Sequence, residues 1–251
     1  MTRSTDGSLV IAAEALVLLA LTHGAPSVAN RAGIMQLVDS VAGALPGHNV
    51  SIAFLDVQHT DIADALDAFV TTEHTIILPL VLSAGFHMRT GIAKGLRRLE
   101  RVGAGLADEL GPDDRLVQVL AERIEELGLS PADSVVLAAA GSSDARAVRE
   151  CFETGRRLAV RLGRPVTVGF IAAAMPRLHD AIEMVREVHP GTRVVVGTYL
   201  LAPGNFNDAV LSAGGDIVAA PLLIPDRVAP SQLVELVLER YATAVEELAG
   251  Q

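Results

Sequence analysis

The chain spells out one order of elements twice. Apolar runs of strand length alternate with segments of helical apolar spacing between residues 15 and 127, and the alternation returns between 135 and 248. Strand, helix, strand in steady succession leaves room for crossovers rather than hairpins, which means parallel pairing with helices laid on the sheets. In the first half the pattern predicts strands at 15–22, 49–57 and 75–82, a fourth near 115–119, helices at 28–44, 61–70 and 121–127, and after His87 a basic helix containing Arg89, Lys94, Arg97, Arg98 and Arg101. Pro46-Gly47 closes the first helix, and GLSPADS at 128–134 has the content of a linker. The second half predicts strands at 135–140, 166–173, 194–201 and 216–221, with helices near 144–162, 178–188, 205–213 and 230–248. The expected fold class is α/β, two similar domains from an internal duplication, each a mainly parallel sheet flanked by helices. Their expected bounds are 1–14 for an N-terminal tail, 15–128 for the first domain and 129–251 for a degenerate second copy.

Two segments align without a gap. SIAFLDVQHTDIADAL (51–66) lies over TVGFIAAAMPRLHDAI (167–182), and LPLVLSAGFH (78–87) over GTYLLAPGNF (197–206). Composition agrees: 50% of residues are hydrophobic, only 3% are aromatic and none is Trp, so the interior is Ala, Val, Leu and Ile, which suits buried parallel strands. The formal charge of −10 speaks against nonspecific nucleic-acid or anionic-membrane partners. The single cysteine, Cys151, forms no intrachain disulfide and fits a reducing compartment. Glu14 interrupts the Leu9–Leu21 run, whose 13 residues fall short of the ~20 that span a bilayer. The expectation is a cytoplasmic protein.

One half then serves as a control for the other. The first strand ends in Thr22-His23-Gly24, the second in Asp56, and the third runs through Ser83 and Gly85 to His87. In an open α/β sheet these strand ends share the carboxyl edge, where ligands bind. Opposite His23, Asp56 and His87 the second copy has Ala140, Ala172 and Phe206. Singly, each of the three polar residues has a structural explanation, a hydrogen-bonded histidine or a turn-capping carboxylate. Residues needed only for folding are needed in both copies, so their joint loss assigns a site to the first half. Two imidazoles and a carboxylate make a ligand set for Fe, Co, Ni or Zn, although spacings of 33 and 31 residues (56 − 23 and 87 − 56) match no compact metal motif. His48, His59, His74, His179 and His189 read as solvent-facing. Gly141-Ser142-Ser143-Asp144 follows a strand and opens a helix, either as an anion-receiving N-terminus or as a plain Ser/Asp cap. Of the basic residues between Arg89 and Arg101, Arg89 is the one expected to reach the site.

With those residues in view, the chain resembles the class II tetrapyrrole chelatases of the sirohydrochlorin chelatase type, related to the cobaltochelatases and ferrochelatases. The carriers are LTHGAP (21–26), AFLDVQHTDIADAL (53–66) and LPLVLSAGFHMRTGI (78–92). The resemblance covers nearly the whole chain. It implies a chelatase-like pair of α/β domains with a cleft between them, His23 and His87 as the metal-handling pair, and the acid at position 56 assisting. Where the family usually has Glu this chain has Asp56; Phe86 stands for a small residue, Gly91 for an Asp, and Ala25-Pro26 for Ser/Arg after His-Gly.

Metal insertion requires the loss of two pyrrole protons and of the ion's water, work for an imidazole near neutrality. The expected activity is that of a lyase placing Fe2+ or Co2+ into sirohydrochlorin on the way to siroheme or a cobalamin-type corrinoid, with no organic cofactor and the metal as substrate. Gly24, Gly85, Arg89, Ser142 and Ser143 are the expected macrocycle contacts, with Arg31 and Arg146 as further candidates for its carboxylates. The competing class is a noncatalytic metal or tetrapyrrole carrier using the same cleft. A nucleotide-binding protein is disfavoured, because neither GxGxxG nor GxxxxGK[ST] follows a strand.

Overall fold

A computed structural model describes residues 17–23, 27–55, 64, 75–83, 86–99 and 104–250. Among the described residues eight strands form two four-stranded sheets, ordered β2-β1-β3-β4 and β6-β5-β7-β8. All their pairings are parallel.

In the first sheet, β1 (Val17–His23) lies between β2 (Asn49–Leu55) and β3 (Thr75–Pro79), with the two-residue β4 (Gly105–Leu106) at the edge. Leu18, Leu19, Ala20 and Leu21 are all buried, so β1 reads as an unbroken apolar run because neither of its faces meets water. Helix α1 (Val28–Ala44) starts where the Asn30 N–H donates to Ser27 Oγ at 3.1 Å, and it buries Ile34, Leu37, Val38 and Val41, the stripe that its spacing predicts. Helix α2 (Phe86–Leu99) follows β3.

The expected strand at 115–119 is instead part of a helix, α3 (Asp114–Glu125). Asp113 caps it by accepting from the Arg115 N–H at 2.9 Å, and Leu116, Val117, Leu120, Ala121 and Ile124 form its buried stripe. Val117 and Val119 suggest a strand, but packing against the helix α4 described next and against the second sheet overrides a weak β preference. The expected helix at 61–70 lies outside the described residues except for Asp64, which is helical.

The second sheet centres on β5 (Ser134–Ala139), between β6 (Val166–Phe170) and β7 (Val194–Tyr199), with β8 (Ile217–Val218) outermost. Its helices are α4 (Ala145–Leu162), α5 (Leu178–Val188) and α6 (Asn205–Leu211), and α7 (Ser231–Ala249) ends the chain. Val136, Ala138, Leu178, Ala181, Ile182, Val185, Val194, Val196, Leu200 and Val210 close into one core cluster. Among the described residues no helix is long and apolar enough to cross a membrane.

Strand register supports the duplication residue by residue. Val17 pairs with Thr75 as Ser134 pairs with Val194, and Leu18 pairs with Val50 as Val135 pairs with Val166. The offsets are 117 for the central strand (134 − 17), 116 for the second (166 − 50) and 119 for the third (194 − 75). Helices α2 and α6 start at the same offset, 205 − 86 = 119. Position 23, at the end of β1, and position 87, second in α2, therefore correspond to 140 and 206, while Asp56, outside the described residues, lies opposite Ala172 in the sequence alignment.

The described residues group into two units. One takes those of Met1–Ala25, Leu37–Leu110 and Val234–Gln251, the other those of Pro26–Gln36 and Gly111–Leu233. The units interleave along the chain: residues 111–128, which the sequence reading assigns to the first half, group with the second. The last helix returns to the first unit, where Ala244 and Leu248 lie beside Gly105 and Tyr241 packs on His48.

Two features support sharp stability predictions. Gly141 has φ +85°, and a Cβ there would collide with the carbonyl oxygen of Ala172, so Gly141→Ala should cost about 3 kcal/mol through the left-handed backbone and the clash together. A urea midpoint matching wild type would refute this. At the opposite edge, Asp133 is almost fully buried and accepts from Arg193 Nη2 at 2.6 Å and from the Ser130 N–H at 2.7 Å. The Arg193 hydrogen bond, opposed by burial and helped by the Ser130 N–H, holds the Asp133 carboxyl below its ordinary 3.8. A depressed carboxyl stabilises the fold above its unfolded pKa and loses that contribution as pH falls through the folded one. Asp133→Asn should therefore lower stability by about 2 kcal/mol at pH 6, with the gap to wild type closing below pH ~3.8. Urea titrations of both proteins across that range test it, and a gap that stays constant with pH contradicts it.

Candidate functional site

His23 is the last residue of β1, and its register partner is Leu55, the last of β2. The residue after Leu55 is Asp56, which lies outside the described residues together with Gly24 and Gly85. Polarity begins abruptly at this edge: Leu21 is fully buried, Thr22 is 5% exposed, and the next residue is the histidine. The parallel ladder thus carries an apolar strand exactly to the sheet's carboxyl edge before any ionisable group appears.

His87 does not end a strand. It is the second residue of α2, eight positions beyond the last residue of β3 (87 − 79). The chain leaving β3 is held on both sides, because the Leu80 N–H donates to Leu21 O at 2.7 Å and Val81 O accepts from the Leu110 N–H at 3.0 Å. The first of those bonds extends the β1–β3 pairing one residue past the strand. Arg89 lies two residues further along that turn.

The second unit shows what the same edge is like without the ionisable groups. Ala140 and Ala172 are joined by a 3.0 Å bond from the Ala172 N–H to Ala140 O, and Phe206 is the second residue of α6. The Ser142 hydroxyl accepts from the Asp144 N–H at 3.1 Å, and Asp144 Oδ1 accepts from the Arg146 N–H at 2.9 Å. These bonds are those of a helix cap. Arg146 Nε meets Glu150 at 2.8 Å on an exposed face, and Arg31 sits exposed on the first turn of α1. Among the described residues no group of three or more His, Cys, Asp or Glu side chains gathers as a metal cluster.

The other histidines divide. His179 and His189 are exposed, His179 with Nδ1 3.2 Å from Ala213 O, and His59 and His74 lie outside the described residues. His48 corrects the expectation that it faces solvent: it is half-buried, edge-on to Tyr241 at 5.9 Å between ring centroids, with a buried Nδ1 that has no hydrogen-bond partner. Its partner arrives on α7, 193 residues later (241 − 48), which local sequence does not reveal. The Cys151 thiol is buried and pushed up to about 11 by desolvation and, secondarily, by Glu150, so it is neither nucleophile nor thiolate ligand near neutrality.

Nothing in the sequence singles out Asn30 or Met175. Asn30 Nδ2 donates to Pro203 O at 2.9 Å, tying α1 to the segment before α6, and Met175 is 66% exposed just beyond β6. A bulky apolar side chain left in water near a sheet's carboxyl edge is visible only once the fold is known.

Comparison with known proteins points one way. A sirohydrochlorin cobaltochelatase of Sulfurisphaera tokodaii is 29% identical over 80 residues, 31% of this chain and 67% of that protein. A sirohydrochlorin ferrochelatase of Priestia megaterium is 26% identical over 162 residues, 61% of this chain; the match spans 60% of that relative's length. In fold, SirB from Bacillus subtilis with Fe3+ superimposes with a TM-score of 0.74 at 18% identity, covering 94% of this chain and 98% of that one. The sirohydrochlorin chelatase SirB from Bacillus subtilis subspecies spizizenii in complex with cobalt gives 0.66 at 17% identity, covering 94% and 97%. The CbiX family model matches residues 17–127 and 134–225, most of both sheets, and the chain belongs to the CbiX family.

Proposed function

We propose that this protein inserts a divalent metal, Fe2+ or Co2+, into sirohydrochlorin, the tetrapyrrole named for both curated relatives. The observation that supports the reading is that the second copy has Ala140, Ala172 and Phe206 where the first has His23, Asp56 and His87, the first pair matched by strand register and the last by the common helix offset. The metal site then belongs to the first half of the chain (15–128), and the second half (129–251) is a copy without it.

The reaction exchanges two pyrrole N–H protons for one M2+ ion and releases two H+. His23 and His87 hold the incoming ion in place of part of its water shell, and one of them accepts a pyrrole proton as the ring nitrogens turn to the metal. Asp56 completes the ligand set or takes that proton onward. Gly24 and Gly85 let the macrocycle approach the backbone, while Arg89, Ser142 and Ser143 meet its carboxylates. The metal is substrate, no organic cofactor takes part, and the acidic chain with one cysteine works in the cytoplasm without nucleic-acid or membrane partners. The substitution of Asp56 for the family's Glu motivates the second reading, a carrier that binds metal or macrocycle without turning it over.

Anaerobic mixing of the purified protein with sirohydrochlorin and Fe2+ or Co2+, followed by absorption, separates the two readings. Insertion no faster than without protein leaves only the carrier. His23→Ala and His87→Ala should each reduce the insertion rate by about 100-fold or more, the scale of a lost acid–base group, with His179→Ala within about twofold of wild type. Similar mild losses in all three would rule out the assignment.

A further inference from the structure

Phe206 occupies the position of His87. Both are second residues of the helix that follows the third strand of their sheet, at the same 119-residue offset that relates β3 to β7. The second copy has therefore not merely lost a histidine; it presents an aromatic ring there, in a chain with six Phe, two Tyr and no Trp. Phe206 is 47% exposed, at the carboxyl edge of its sheet. The other solvent-exposed phenylalanine described, Phe152, is accounted for by its edge-on stack against Phe170 at 5.4 Å.

The surroundings of Phe206 suit a flat apolar ligand. Strand order β6-β5-β7 puts the segment after β6, with Met175 66% exposed, on one side of the β5 tip and Phe206 on the other. Two strand spacings, about 10 Å, separate the outer strands. Between them the tip is made of Ala140, Gly141 and Ala172, whose side chains do not rise above Cβ. Two exposed apolar residues thus follow the strands on either side of a tip built from small residues. Asn30 fixes one flank by its 2.9 Å bond to Pro203 O, three residues before the ring.

We infer that Phe206, with Met175 across the β5 tip, is a specificity-determining residue that receives the apolar face of the tetrapyrrole macrocycle. This deepens the chelatase reading and rests on it. The duplication divides the work: the position that handles the ion in one copy grips the ring in the other. An aromatic face stacks on a conjugated ring without needing charge, and Met adapts to its contour.

The test titrates the full-length protein with metal-free sirohydrochlorin, followed by its fluorescence, and separately with Co2+ alone by calorimetry. Phe206→Ala should weaken macrocycle binding about tenfold, the loss expected when one aromatic stacking partner of a planar ligand is removed. Co2+ binding should stay within about twofold, and Phe206→Trp should bind the macrocycle within about threefold of wild type, since it keeps the aromatic face. Met175→Ala should weaken the macrocycle alone, by a smaller factor. Macrocycle binding by Phe206→Ala equal to wild type overturns this inference and leaves the chelatase reading standing. Loss of Co2+ affinity along with the macrocycle also overturns it, because the ring is then structural. A wild-type protein that binds no sirohydrochlorin overturns the chelatase reading itself.

Discussion

The parallel ladder of the central strand in each sheet fixes everything at the carboxyl edges. β1 is bonded on both sides, with Val17 opposite Asn49 and Thr75, and β5 repeats the arrangement. Because side chains alternate between faces, a slip of one residue would turn every buried Leu of β1 towards the other helix layer and shift the edge by one position. Burial of both faces makes that slip costly, so register is strongly specified. A residue's place relative to the edge is then set by counting along the strand, which is why His23 and Leu55 finish together although 32 residues separate them (55 − 23).

The same ladder explains what could be read from sequence. The bounds of α1 and α5, Val28–Ala44 and Leu178–Val188, coincide with the expected ones. In α1, Ser27 supplies the cap and the apolar stripe is unbroken, so local and tertiary preferences agree. Fully buried strands announce themselves as apolar runs, and a duplicated chain announces them twice. What stayed hidden depended on long-range packing. β4 and β8 are two residues each, too short for any period to appear. The Val-rich start of α3 suits a strand until its stripe is set against α4 and β7. His48 looks like a loop residue until α7 returns Tyr241 to it.

The candidate site was legible for a different reason. Strand ends alone would have yielded a list of polar residues with ordinary structural roles, and the Ser142-Asp144 cap shows how often such residues fill them. The internal copy turned the list into a comparison at fixed backbone geometry. His87 illustrates the limit: its equivalence to Phe206 was correct, while its placement at a strand end was not, because it lies eight positions beyond β3, inside the first turn of a helix. Equivalence survives such an error because it depends on offsets rather than on where an element stops.

Charge shapes what the second copy contributes. At −10 the chain attracts a divalent cation at long range and repels a ligand rimmed with carboxylates. A metal-handling edge gains from that field, and a macrocycle-handling edge must work against it. On the proposed reading Arg89 meets carboxylates beside His87, and a contact with the macrocycle's face would add affinity without adding further cations there. Ala140, Ala172 and Phe206 carry no charge. Replacing two imidazoles and a carboxylate with two methyl groups and a ring removes desolvation costs at that edge and gains stacking area. On the proposed reading the two copies thus divide a conflict that a single, uniformly polar edge would face, one edge carrying charge for the ion and the other an uncharged surface for the ring.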